Sequence, residues 1–183
     1  QNVHVVVFDD AGTIIPDGAI AVHGGKILEV GATTDLKEKY APAERIFASG
    51  KIAMPGLTDA HLHTAQTLMR GLLSTMGRTR ALRVPTWQEY FVPFEAALGP
   101  EDVHLSGALA YSSMLATGTT SFFESGGPHP DQMAEAAVDT GIRGAVALST
   151  MDGGNRIPGS MTMTTEEALR RNIELVERWP KNP

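Results

Sequence analysis

The run Met54 to Thr64, MPGLTDAHLHT, carries two histidines one residue apart directly behind apolar text. Successive side chains of a strand alternate between its faces, so on a strand His61 and His63 share a face and their imidazoles can converge on one metal ion. On a helix the same spacing would splay them apart. The competing reading, two ordinary polar residues in a turn behind a strand, has to be decided by context. Asp59 has the same strand parity and is expected one layer deeper on that face, as a supporting residue for the histidine pair or as a buried structural carboxylate.

Composition narrows what such a pair could serve. The chain has 183 residues, 42% of them hydrophobic and 20% charged, with a net charge of -6 and no cluster of Lys or Arg. That is enough apolar material for one core, or one core and a small additional layer. The dispersed negative charge argues against a nucleic-acid surface and leaves a small-molecule substrate open. With zero cysteines there is no disulfide framework and no thiolate zinc site, so a metal would be held by His, Asp, Glu or a modified Lys. No apolar run approaches the roughly 20 residues of a membrane span, and QNVHVVVFDD lacks the pattern of a secretory signal. The expectation is therefore no membrane and a cytoplasmic protein, trimmed at a front that opens on Gln.

The elements that must position these residues fall into two parts. Residues 1–53 read as a small β-rich layer: strands in VHVVVF, AIAV, ILEVG and RIFASGKIAM, a hairpin at Gly24-Gly25, and no helix cap. Residues 54–183 alternate strand and helix. IAMPGLTDA, TTSFFES and IRGAVALS read as three strands. The helix opening at GPEDV closes at Gly118, with Val103, Gly107, Ala108, Tyr111 and Leu115 on one face. Another helix runs from about His129 to Thr140 and stops at Gly141. The last starts at a Thr164/Glu167 capping box and runs to Trp179, where Pro180 breaks it. The 50 residues between the first and second strands exceed one crossover helix, and VPTWQEYFVPFEAAL is expected to form an amphipathic helix over the mouth of a barrel. This is the text of a parallel sheet with right-handed crossovers, either an open doubly wound sheet or a closed β/α barrel. No G-x-G-x-x-G follows a strand, so a dinucleotide site has no support. Three strands cannot close a barrel of eight; the chain reads as a fragment, or its remaining strands come from another polypeptide.

PGLTDAHLHT behind a Gly/Lys-rich hairpin layer resembles the amidohydrolase superfamily, and HTAQTLMRGL with ATGTTSFFES is similar to its deaminase and chlorohydrolase branch. The resemblance implies an α/β fold: the N-terminal portion of a metal-dependent hydrolase β/α (TIM) barrel, preceded by part of a β-sandwich. It assigns His61 and His63 to a divalent metal, zinc before iron or manganese. It implies a metal-activated water attacking an electron-poor carbon of a purine, pyrimidine, nucleoside or triazine-like substrate. By the same resemblance Gln66, Trp87 and Glu95 face substrate, with a helix-surface Gln66 and a core Trp87 as alternatives. Trp87 and Glu95 stand one residue closer together than the nucleoside-deaminase pattern has them. Glu124, at the end of the second strand, is either a pocket wall that binds substrate or the partner of a helix N-terminus. His4, His23, His104 and His129 match no family position and are read as structural or surface residues.

The family's further metal ligands and its general base come from later strands, so no catalytic residue is assigned within this chain, and the chain alone is expected to be inactive and to bind metal weakly. Two other readings stay open: an amide or cyclic-urea hydrolase with two metals bridged by a modified lysine, and a non-catalytic half-barrel that assembles through its open sheet edge as a homo-oligomer or with the missing strands.

Overall fold

A computed structural model describes residues 1–179 and divides the chain into two compact units, Gln1–Gly56 and Leu57 onward. The first is a four-stranded sheet of β1 (Val3–Val6), β2 (Ile14–His23), β3 (Lys26–Ala32) and β4 (Ile52–Ala53), in the order β3-β2-β1-β4. Gly24 and Gly25, with φ of 56° and 74°, turn β2 into its antiparallel partner β3. A primed turn needs left-handed backbone at both central positions, which glycine adopts without a Cβ penalty.

Two expectations for this unit fail. A helix, α1 (Thr33–Lys39), stands where none was expected, with Asp35 in its first turn and Lys37 and Lys39 in its last complementing the dipole. Its start is fixed from outside: buried Thr33 donates to the Gly18 carbonyl at 2.8 Å and accepts the Asn2 amide at 3.1 Å. The second failure is RIFASGKIAM, of which Ile52–Ala53 alone is strand, while Ile46 and Phe47 stay exposed.

The second unit is built on a parallel sheet, β5 (Leu57–Leu62), β6 (Thr119–Glu124) and β7 (Arg143–Ala145), in that order. IAMPGLTDA is thus not one strand. Pro55-Gly56 interrupts the ladder, since proline has no N–H to donate, and the two pieces join different sheets. IRGAVALS also yields a shorter strand than its apolar run suggests, continued beyond β7 by an isolated Gly127–Leu148 bridge.

Between β5 and β6 the chain makes a 3-10 turn (Thr64–Met69), α2 (Leu72–Gly77), a π-wound turn at Trp87–Phe91 running into α3 (Val92–Glu95), and α4 (Pro100–Ala116). Pro93 cannot donate to the preceding turn, which accounts for wider winding where a regular amphipathic helix was expected. α4 opens with the Asp102 carboxylate accepting the Gly99 amide at 2.9 Å. Its buried face is Val103, Ser106, Gly107, Ala110 and Tyr111; the expected Leu115 is exposed and Ala108 half-buried. α5 (Pro130–Thr140) ends at Gly141, φ 77°, and α6 (Thr165–Arg178) closes the described chain. Half of the expected capping box forms: Thr164 Oγ1 accepts the Glu167 amide at 3.2 Å, while the Glu167 carboxylate turns to Arg170. The break assigned to Pro180 lies outside the described residues.

The core of this unit lies on the helix-packed side of the sheet, where Tyr111 stacks on Phe122 with ring centroids 4.5 Å apart, joined by Ala110, Ala136 and Ile142. No helix among the described residues is long and apolar enough to cross a membrane.

Candidate metal centre

His61 lies near the end of β5 and His63 one residue past it, as the N-cap of the 3-10 turn. The strand brings both to its C-terminal end, where a parallel sheet presents its loops. Their rings meet edge to face with centroids 5.1 Å apart and the two Nε2 atoms 3.2 Å apart. Two imidazole nitrogens converging in this way suit the borderline-soft ligand shell of zinc. Among the described residues no cluster of three or more His, Cys, Asp or Glu could hold a metal. What the site offers is two converging imidazole nitrogens.

Asp59 does not follow from simple alternation. It stands in register with Phe122, and between Asp59 and Leu62 three steps along β5 match two along β6, a bulge that breaks the parity shared with the histidines. Its Oδ1 instead accepts the His61 amide at 3.1 Å, bracing the backbone that presents that ring.

Gln66 and Glu95, 29 residues apart, come together: Gln66 Nε2 donates to Glu95 Oε1 at 2.7 Å. Glu95 is only 3% exposed. Burial raises its pKa, opposed by the Gln66 hydrogen bond and by the charge of His63. Trp87 takes no part in that contact. At 50% exposure it is not a core residue of its helix. Nearby, Glu89 ties the insertion to the loop after β7 through Arg156 at 2.5 Å and lies 3.6 Å from Arg83.

Of the two roles open for Glu124, the geometry gives the partner of a helix N-terminus. Its Oε2 accepts the amide of Thr64, first residue of the 3-10 turn, at 2.9 Å. In register with Leu62, its side chain shares the helix-packed side of the sheet and is 7% exposed. Desolvation raises its pKa, opposed by Thr64 and the charge of His63 and reinforced by Glu95. Two residues not read as part of the site complete this group: Ser106, whose Oγ donates to the Thr64 carbonyl at 2.7 Å, and Tyr111, expected only on the apolar face of α4, whose Oη lies 3.0 Å from Thr64 Oγ1. A serine next to Gly107 within the apolar stripe of α4 was the signal available for Ser106.

The other two histidines of this unit have partners of their own. His104 Nε2 lies 2.9 Å from Asp139, and His129 Nε2 lies 3.1 Å from the Leu98 carbonyl.

Residues 52–181 match the model of the amidohydrolase family, and residues 18–43 match that of a bacterial imidazolonepropionase-like composite domain. A 5-methylthioadenosine/S-adenosylhomocysteine deaminase of Symbiobacterium thermophilum is 37% identical over 182 residues, covering 93% of this chain and 38% of that protein. An adenosine deaminase of Xanthomonas campestris, solved with bound zinc, superposes with a TM-score of 0.71 at 27% identity, covering 99% of this chain and 40% of that one. Guanine deaminase of Escherichia coli gives 0.75 at 27% identity, over 93% and 37% of the two chains. The chain thus spans about two-fifths of the length of the relatives it matches.

Proposed function

Because this chain belongs to the amidohydrolase family, we propose that it forms the metal-presenting N-terminal part of a hydrolytic deaminase acting on an aminated heterocycle of the purine or nucleoside class. The observation that carries this reading is the approach of His61 Nε2 and His63 Nε2 to 3.2 Å at the end of β5. On this reading β5, β6 and β7 are the first three strands of a β/α barrel, and the N-terminal sheet is part of a β-sandwich completed by later sequence. The extensive exposed apolar surface of both units, Ile27, Leu28, Ile46 and Phe47 in the first and Leu169, Ile173 and Val176 on α6, supports that completion.

A divalent metal, zinc by the chemistry of the donor set, supplies when bound a water acidified to near neutrality as nucleophile. This chain's residues do the holding and orienting. His61 and His63 offer nitrogen lone pairs, and Asp59 braces the His61 backbone. Glu95 and Gln66, already hydrogen-bonded to each other, present an acceptor and a donor to substrate hydroxyl or amide groups, and the exposed face of Trp87 offers a stacking surface for a base. Carboxylate acceptors buried beside an amide donor discriminate strongly for hydroxylated substrates, because a substrate lacking the group leaves them unpaired.

The test is ammonia release by the intact, zinc-loaded protein from 5′-methylthioadenosine, S-adenosylhomocysteine, adenosine and guanine. Turnover of at least one, abolished by His61→Ala and by His63→Ala, supports the reading. A zinc-loaded protein that releases ammonia from none of them contradicts it.

A further inference from the structure

Thr64, directly after His63, is fully buried and held at every one of its polar groups by two other elements. Its amide is bound by Glu124 of β6 at 2.9 Å; its hydroxyl and carbonyl meet Tyr111 and Ser106 of α4 at 3.0 and 2.7 Å. Tyr111 and Ser106 are themselves fully buried, and Tyr111 is clamped against Phe122. Such a cage holds the first residue of a six-residue 3-10 segment at all of its polar groups. What it fixes is the backbone from which the His63 ring projects.

A second observation points the same way. His63 Nδ1 and Glu124 Oε1 are both buried with no hydrogen-bond partner. A buried polar atom left without a partner is destabilising. The two are complementary, since a ring nitrogen can donate and a carboxylate oxygen can only accept. The other oxygen of the same carboxylate binds the amide of Thr64, the residue next to His63, at 2.9 Å, which holds the Glu124 carboxylate beside the start of that turn. The two histidines differ here: His61 is exposed and its Nδ1 can turn to water, whereas the buried Nδ1 of His63 needs an internal acceptor.

Resting on the metal-site reading above, we propose that Glu124, Tyr111 and Ser106 are positioning residues for His63. They fix its backbone through Thr64, and the free Oε1 of Glu124 takes the Nδ1–H of the ring, directly or through one water, so that the Nε2 lone pair is presented to the metal. A ligand histidine whose other nitrogen donates to a carboxylate has its tautomer and orientation fixed and its basicity raised. Glu124 thereby acts from behind the metal centre rather than on the substrate.

The experiment uses the intact protein with zinc as the probe. Glu124→Gln keeps an oxygen for the Thr64 amide but can place an NH2 where the carboxylate offered an acceptor, reversing the polarity seen by Nδ1. Three readouts are compared with wild type: zinc affinity by chelator competition, the His63 tautomer by 15N NMR of the metal-free protein, and the metal-free unfolding midpoint. The proposal expects wild-type His63 as the Nδ1–H tautomer. In Glu124→Gln it expects a shift toward Nε2–H and zinc affinity about 10–100-fold lower, with the metal-free midpoint unchanged or raised. A folded Glu124→Gln protein with wild-type zinc affinity and an unchanged tautomer overturns it. Should that variant not fold, the wild-type spectrum decides: an Nε2–H tautomer at His63 overturns the proposal and Nδ1–H upholds it. Failure of the metal-site reading is separately visible, as zinc binding that is absent from wild type or indifferent to His61→Ala and His63→Ala.

Discussion

The two faces of the parallel sheet are opposites. On the helix-packed side Phe122, 1% exposed, stacks on Tyr111, and Leu62, Ala136 and Ile142 close around them. On the other side Thr58 and Ser121 pair their hydroxyls at 2.6 Å in the open and Phe123 is 56% exposed. One face is a finished core made by residues within 90 positions of each other in the chain. The other has no partner among the described residues. Thr64 joins the finished side to the histidine pair, tied to Glu124, Tyr111 and Ser106 and following directly on His63. A rigid, fully packed support behind an open site is the general arrangement by which catalytic ligands are held within tight tolerances.

Substitutions on the two faces should therefore separate cleanly. The largest effect is expected from Phe122→Ala, which empties the centre of the packed side and should lower unfolding free energy by about 3–5 kcal/mol in a denaturant titration. Gly144→Ala should follow at about 1–3 kcal/mol, because its Cβ would come 2.2 Å from the Phe122 ring and force the strand or the ring to shift. If Gly144→Ala is neutral, β7 is less tightly seated on that core than the comparison holds.

Smaller still is the ion pair of Arg178 with Asp131, 2.9 Å apart and more than a third exposed on both sides. Hydrogen bonding from Arg178, with a further contribution from Trp179, holds the Asp131 carboxyl below the usual range. A carboxylate with a lowered folded pKa contributes stability above its unfolded pKa of about 3.9 and loses it as pH falls through the folded value. Asp131→Asn should thus cost under about 1 kcal/mol at pH 7, discounted for solvent screening, and nothing once wild type is protonated. Unfolding midpoints compared at neutral and strongly acidic pH check this; a difference that grows on acidification would reverse the sign. Phe123→Ala, on the open side, should change the stability of the isolated segment by no more than about 0.5 kcal/mol.

Much of this organisation was legible in the sequence, and the reasons differ by element. Gly24-Gly25 and Gly141 marked a hairpin and a helix end because their positions demand left-handed backbone. The spacing of His61 and His63 across the end of β5 brought their rings together, as strand alternation implies. The same rule misplaced Asp59, which lies before the bulge; that feature depends on pairing with β6 and leaves no local trace. The long-range contacts were equally hidden. Gln66 with Glu95 and Thr64 with Glu124 span 29 and 60 residues, and periodicity within a window cannot register them. Ser106 went unread, because the Thr64 carbonyl that its hydroxyl serves lies 42 residues away. α1 was missed because its start depends on Gly18 and Asn2, far from Thr33 in the chain.

The comparison of the two faces stands or falls with the metal. Zinc affinity of the intact protein, measured by chelator competition for wild type, His61→Ala, His63→Ala and the double variant alongside metal-free unfolding midpoints, tests it most directly. Expected are tight binding by wild type, loss of at least about 100-fold on removing either imidazole, and metal-free midpoints within a few degrees of one another, since His61 is exposed and His63 lies past the end of β5, outside the Tyr111–Phe122 core. Zinc binding that survives the double substitution, or unfolding of the metal-free protein when either histidine is removed, would contradict it.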